Sequence, residues 1–255
     1  RRAARRSEPW TTAPTGGECP SLAAAIVCRM DHRVISIGAL ETHPLWNEKE
    51  PRRTGSATCT LVRSGDRVIL VDPGPSAEAL RHRLMERAGL EPKHVTHVFL
   101  TCFRPDVRRG LALFPDATWW ISEAEREAVG VPLATQFKRA EESGDAGLAG
   151  ALRTEVALLQ RFEVAPDSLA ERVDLFPLPG VTPGLSGLLL AEPRHTTLIA
   201  GDAVPTWEHL ESGAVPKWAV DGQRAKESFL EALEIADLLI PGRDNLVVNP
   251  GKRPF

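Results

Sequence analysis

No two of the four cysteines, Cys19, Cys28, Cys59 and Cys102, stand at CxxC spacing. This excludes a zinc ribbon and a thioredoxin-type redox motif, and the thiols are read as free in a reducing cytoplasm. The histidines, His32, His43, His82, His94, His97, His195 and His209, form no HxH or HExxH pair, so neither of those metal signatures is present. No apolar run approaches the roughly 20 residues that a membrane helix needs. A large excess of either charge is also missing: the formal net charge is -3, which gives no footing for nucleic acid or an anionic membrane surface. Nothing repeats at a fixed period, which excludes a solenoid.

What remains is globular. The 255 residues, 42% hydrophobic and 25% charged, suffice for one buried core and are incompatible with global disorder. At the N-terminus, the basic RRAARR run is separated from the apolar stretch 21–28 (SLAAAIVC) by Pro, Gly and Thr residues, the wrong layout for a signal peptide. The first methionine, Met30, stands directly before a strand-like run, HRVISIGAL. Residues 1–29 are therefore expected to be a disordered tail or a mis-started upstream extension, and 30–255 a single domain.

Alternating or continuous apolar patterns predict strands at 34–40, 56–62 and 67–72, the last two joined by the hairpin turn Ser64-Gly65-Asp66. Pro73-Gly74-Pro75 then leads into Ser76, an N-cap for a helix carrying Ala79, Leu80, Leu84 and Ala88 at helical spacing and ending at Gly89. A strand at 95–101, a short helix at 107–114 and a strand at 117–121 continue a β-α-β-α-β rhythm. Residues 122–172 read as a helical excursion, broken near Gly144 and Pro166, with no recognisable chemistry. Strands resume at 172–178, 188–191 and 196–200, and a helix at 223–236 precedes Leu238-Leu239-Ile240.

Four segments carry a resemblance: VDPG at 71–74, LTCFRPDVRRG at 100–110, TPGL at 182–185 with AGDAV at 200–204, and PGRD at 241–244. In order and approximate spacing the chain resembles the metallo-β-lactamase-fold hydrolases, over nearly everything from Met30 to Asn245. The resemblance implies an α/β fold, a four-layer αββα sandwich with its site at one edge between the sheets. It implies a hydrolase ancestry for substrates such as thioesters, lactams, lactones and phosphodiesters. Asp72 would brace that site from behind.

At the positions where the family keeps its metal ligands, this chain presents Cys102, Arg104, Asp106, Val107, Leu185, Asp202 and Arg243. Leucine and valine offer no lone pair, and arginine remains protonated and repels cations. The pocket is therefore expected to hold no metal, with Arg104 and Arg243 standing in for the ions and pairing with Asp106 and Asp202. At about 4 Å and an effective dielectric of about 20, each pair is worth roughly 4 kcal/mol before desolvation is subtracted. The implied function is non-catalytic or the binding of a small anionic ligand. No catalytic residue is assigned, and zinc-hydroxide chemistry is not expected. The alternative is a hydrolase using one weakly held zinc or iron on Cys102, Asp106 and Asp202, with His209 as a displaced ligand. His43 is placed near the mouth of the pocket. Arg104, Arg108, Arg109 and Arg243 form a candidate anion site, aided by the N-terminus of the helix after Asp106.

Overall fold

The computed structural model describes residues 30–252, so the expectation for 1–29 and the positions of Cys19 and Cys28 lie outside the described residues. Two six-stranded sheets form the centre. The first contains β1 (Asp31–Ser36), β2 (Cys59–Ser64), β3 (Arg67–Val71), β4 (His97–Leu100), β5 (Thr118–Ile121) and β6 (Glu163–Val164), in that spatial order. The second contains β7 (Ser168–Ala170), β8 (Val173–Pro177), β9 (Ser186–Ala191), β10 (Thr196–Gly201), β11 (Leu238–Pro241) and β12 (Val247–Val248), also in chain order. Helix α1 (Ala77–Ala88) follows β3, α2 (Glu123–Ser143) and α3 (Ala146–Gln160) follow β5, and α4 (Trp207–Ser212) and α5 (Gly222–Ile235) lie between β10 and β11.

Strand periodicity sorts side chains between two layers. Ile69, Val71, Phe99 and Trp120 of the first sheet meet Leu188, Leu190, Ile199 and Ile240 of the second in one inter-sheet cluster. The residues between them, Leu70, Val98, Leu100, Trp119, Leu198 and Leu239, turn to the opposite faces and pack with Leu80 and Leu84 of α1 or Phe229 and Ala232 of α5. A period of two therefore supplies both the interior of the sandwich and the seats for its outer helices. The result is the αββα architecture that the resemblance implies.

Local signals account for most element ends. The β2–β3 register pairs Ser64 with Arg67, leaving Gly65 and Asp66 as a two-residue turn in which Gly65 takes the positive φ of 64° that such a turn demands. Ser76 caps α1 by accepting from Ala79 N at 3.4 Å, and the Gly89 N–H closes the other end on Leu84 and Met85 carbonyls. Gly144 ends α2 in the same way.

Two expectations are corrected. The helix placed at 107–114 is only a 3-10 turn at Leu111–Leu113, because the Gly110 N–H is spent on Pro73 O at 2.7 Å and the neighbouring bonds, Val107 N to Arg104 O and Leu111 N to Arg108 O, are three-residue turns. No helix N-terminus therefore faces the pocket from this segment. The strands after the helical stretch resume at Glu163, not Arg172: β6 adds to the first sheet beside β5, and Arg172 sits at φ 64° in the turn between β7 and β8.

Candidate functional site

The ends of β3, β4, β10 and β11 converge at one edge of the sandwich. Asp72, at the end of β3, has a left-handed φ of 51°, a region that Asp tolerates better than most residues. Its carboxylate accepts from Thr101 N and Thr101 Oγ1, both at 2.8 Å, and so locks the end of β3 to the end of β4. Thr101 O in turn accepts from Ser186 N of the other sheet at 3.1 Å. Burial pushes the Asp72 carboxyl up to about 7 against the lowering effect of those bonds.

Beside this brace, Arg243 is seated in the turn after β11 with its side chain 1% exposed. Nε donates to Asp202 Oδ1 at 2.8 Å and Nη2 to Asp202 Oδ2 at 2.7 Å, a two-pronged pair, while Nη1 donates to Asp106 Oδ2 at 2.5 Å. Gly242 makes the pair possible: a Cβ there would lie 2.6 Å from Asp202 Oδ1. Arg104 takes what is left. Its Nη1 lies 3.4 Å from Asp202 Oδ2 and its Nε 3.4 Å from Asp106 Oδ1, and its side chain is 35% exposed. Burial alone would raise the Asp202 carboxyl, but Arg243 and then Arg104 hold it below its ordinary value. Burial opposes the charge on Arg243 as well, yet Asp202 and Asp106 keep it protonated beyond the usual arginine range.

The other family positions are apolar in function. Cys102, Val107 and Leu185 are buried in the core cluster with Ala203 and Val204. Burial, followed by the charges of Asp202, Glu125 and Asp72, pushes the Cys102 thiol well above its ordinary value, the opposite of what a thiolate ligand requires. Among the described residues, no group of three or more His, Cys, Asp or Glu side chains is placed to hold a metal ion. Arg108 is turned out of the expected anion site. It pairs with Glu155, donates to Phe103 O at 3.2 Å and lies over the Phe103 ring.

A cleft of about 520 Å³ opens over the cluster, with Arg53, Arg104, Arg109 and Arg243 in its walls against Glu41 and Asp106, and with Trp218 beside them. The Arg104 guanidinium lies 5.7 Å from the Trp218 ring centre. A second cleft of about 280 Å³ shares Arg53 and Arg243 and is also lined by His43, Trp46, Thr206 and Glu208. His43, expected near the pocket mouth, and His209, weighed as a displaced metal ligand, are both buried and meet at Thr206: His43 Nε2 is 3.2 Å and His209 Nδ1 2.9 Å from Thr206 Oγ1. Burial, then His43, lowers His209 to about 4.

Glu125 was missed from the sequence. Buried in the first turn of α2, it accepts from Phe103 N at 3.0 Å, Thr182 Oγ1 at 2.6 Å and Gly184 N at 3.2 Å, tying the 102–110 loop to the TPGL turn. The one signal was the Ser122-x-x-Glu125 spacing of a capping box. The Ser122 half forms, accepting from Glu125 N at 3.2 Å, while the Glu125 carboxylate reaches across to the two loops.

The described residues include no helix long and apolar enough to cross a membrane. No individually curated protein matches the sequence. Similar solved structures share the fold at low identity. A Thermotoga maritima protein described as a metallo-beta-lactamase is 21% identical, covering 86% of this chain and 99% of its own, with a TM-score of 0.59. The dizinc quorum-quenching lactonase AidC is 20% identical over 70% of this chain and 67% of its own, TM-score 0.53. A variant of AiiA from B. thuringiensis, with N-decanoyl-L-homoserine at its active site, is 17% identical over 84% and 92%, TM-score 0.57. The sequence profile of the metallo-beta-lactamase superfamily matches residues 52–247. With most of its length matched in this way and both sheets in the expected order, the chain belongs to the metallo-beta-lactamase superfamily.

Proposed function

We propose that this chain is a metal-independent member of its superfamily, in which protein-borne guanidinium groups occupy the pocket where relatives hold ions, and whose remaining cleft binds a small anion. The observation that carries the reading is Arg243. Its side chain is 1% exposed and saturates Asp202 and reaches Asp106 within 2.5–2.8 Å. The residues present do not fit a zinc centre: the two carboxylates that remain are already neutralised, Val107 and Leu185 supply no donor, and a cation would have to displace a guanidinium from a buried pair. The one-ion alternative on Cys102, Asp106 and Asp202 requires deprotonating a fully buried thiol beside carboxylates, so the geometry does not favour it. Protein purified without chelator and incubated with excess zinc is expected to retain far less than one zinc per chain after desalting. About one tightly bound ion per chain by elemental analysis would overturn the proposal.

The ligand-facing cation is Arg104. Because Arg243 holds the nearer contacts to both aspartates, Arg104 is attached only at 3.4 Å and keeps guanidinium N–H groups for an incoming carboxylate or phosphate. Arg109, which donates to Gly55 O at 3.0 Å from the same wall, is the second anchor. Four arginines against Glu41 and Asp106 leave the lining net positive. A thermal-shift screen of phosphates and small carboxylates is expected to give anion-dependent stabilisation. Arg104→Ala is expected to abolish that shift while changing the ligand-free stability by only about 1 kcal/mol. Equal stabilisation of the Arg104→Ala protein would exclude Arg104 as the anchor.

A further inference from the structure

The smaller cleft holds chemistry that the arginine–aspartate cluster does not use. Thr206 ends the turn after β10, and its hydroxyl lies between two imidazoles: His209 Nδ1 at 2.9 Å and His43 Nε2 at 3.2 Å. Glu208 Oε2 is 3.2 Å from the same His43 nitrogen, and Trp46 Nε1 donates to Glu208 Oε1 at 2.9 Å. The tautomers set which atoms donate: in the arrangement the chemistry below requires, His43 Nε2–H donates toward Glu208 and the Thr206 hydroxyl donates to His209 Nδ1, although the same hydroxyl also reaches Glu208. His43 Nδ1 is then a buried acceptor with no hydrogen-bond partner among the described residues. Thr206, His43 and Glu208 line a cleft of about 280 Å³ together with Arg53 and Arg243.

We infer that Thr206 is a nucleophile for acyl transfer from a short carboxylic ester, with His209 as its base. A hydroxyl hydrogen-bonded to an imidazole is the unit on which acyl transfer without a metal depends. Thr206 Oγ1 forms a bond to the ester carbonyl carbon as its proton passes to His209 Nδ1. The carbon–oxygen bond to the leaving alcohol then breaks, and that alcohol carries the proton away. Water reverses the sequence: its oxygen bonds the acyl carbon, the bond to Oγ1 breaks, and the proton returns to Oγ1 through His209. Burial and His43 lower His209 to about 4 and so keep its resting imidazole neutral and able to accept the proton, while Glu208 and Asp202 act in the opposite direction and offset part of the cost of the imidazolium. Of the two guanidinium groups at the cleft, that of Arg243 is spent on Asp202 and Asp106, so Arg53, which pairs with Glu48 in the cleft wall, is the one that brings positive charge toward a carbonyl oxygen becoming negative.

The test uses full-length, chelator-treated protein and p-nitrophenyl acetate. The expected result is a burst of p-nitrophenolate and an acetyl group located on Thr206 by peptide mass spectrometry. Thr206→Ser should retain both, Thr206→Val should lose both, and His209→Gln should slow acylation about 100-fold or more. A cluster that only ties the loop before β2 to α4 would give melting changes in these variants and no acetyl-Thr206. That outcome, or acetylation confined to lysines, overturns the inference. Should Thr206→Val fail to fold, the site of acetylation in the unaltered protein and in Thr206→Ser decides. The inference does not depend on the anion-binding proposal, since chelation removes any metal-dependent route and the readout is the modified residue.

Discussion

Arg243→Ala is expected to lower stability by about 3–5 kcal/mol, which for a domain of this size is a fall in melting temperature on the order of 10 °C. The substitution strips the buried Asp202 carboxylate, whose side chain is 3% exposed, of both prongs of its partner, and leaves only Arg104 at 3.4 Å. Forming such a pair gains little net energy, because desolvating two ions offsets most of their attraction. Removing one member leaves the other charged and dry. Asp202→Asn in the Arg243→Ala background should therefore recover part of the loss, and equal losses in both backgrounds would show that the pair is not the cause. The pH dependence has a defined sign. The folded-state pKa of Asp202 is depressed, so its contribution is complete above the unfolded carboxyl value near 3.9 and is lost as pH falls through the folded value. The deficit of Arg243→Ala should be largest near neutral pH and shrink below about pH 4; chemical denaturation at pH 7 and in that acid range measures it.

Glu125→Ala is expected to cost about 3 kcal/mol, or roughly 8 °C in melting temperature. The carboxylate is the shared acceptor for two backbone N–H groups, Phe103 and Gly184, and for the Thr182 hydroxyl. Alanine leaves the Phe103 and Gly184 N–H groups buried and unpaired, each worth about 1–3 kcal/mol, and the half-buried Thr182 hydroxyl without its acceptor, partly offset by no longer burying a charge. Glu125→Gln should fall between, since its single amide oxygen serves fewer of the three. The discriminating measurement is amide exchange: Phe103 and Gly184 should lose protection ahead of the sheets. Unchanged exchange at both positions would remove Glu125 from the role of connecting the two loops.

Legibility followed sequence distance. The alternation of Leu70 with Ile69 and Val71, the Ser76 cap and the Gly65 turn are local patterns, and each has a local physical cause. The four motif segments identified the fold because their order is itself a topology. The pairing of Asp106 and Asp202 with guanidinium groups could be argued from charge alone. The unequal roles of Arg243, buried and saturated, and Arg104, loose and half-open, could not, because they depend on how closely Gly242 lets the turn approach Asp202. The helix expected after Asp106 fails for a tertiary reason, the capture of the Gly110 N–H by Pro73. Likewise, the meeting of His43 with Thr206 joins residues 163 positions apart, a distance at which no periodicity speaks.

A charge delivered on a side chain cannot dissociate. Where a positive centre arrives as a solute, the folded population rises and falls with the solute's concentration; where it arrives as Arg243, synthesis of the polypeptide completes the inventory. On the metal-independent reading proposed above, folding of this pocket is a first-order event, indifferent to the supply of any trace element and to competitors that would sequester one.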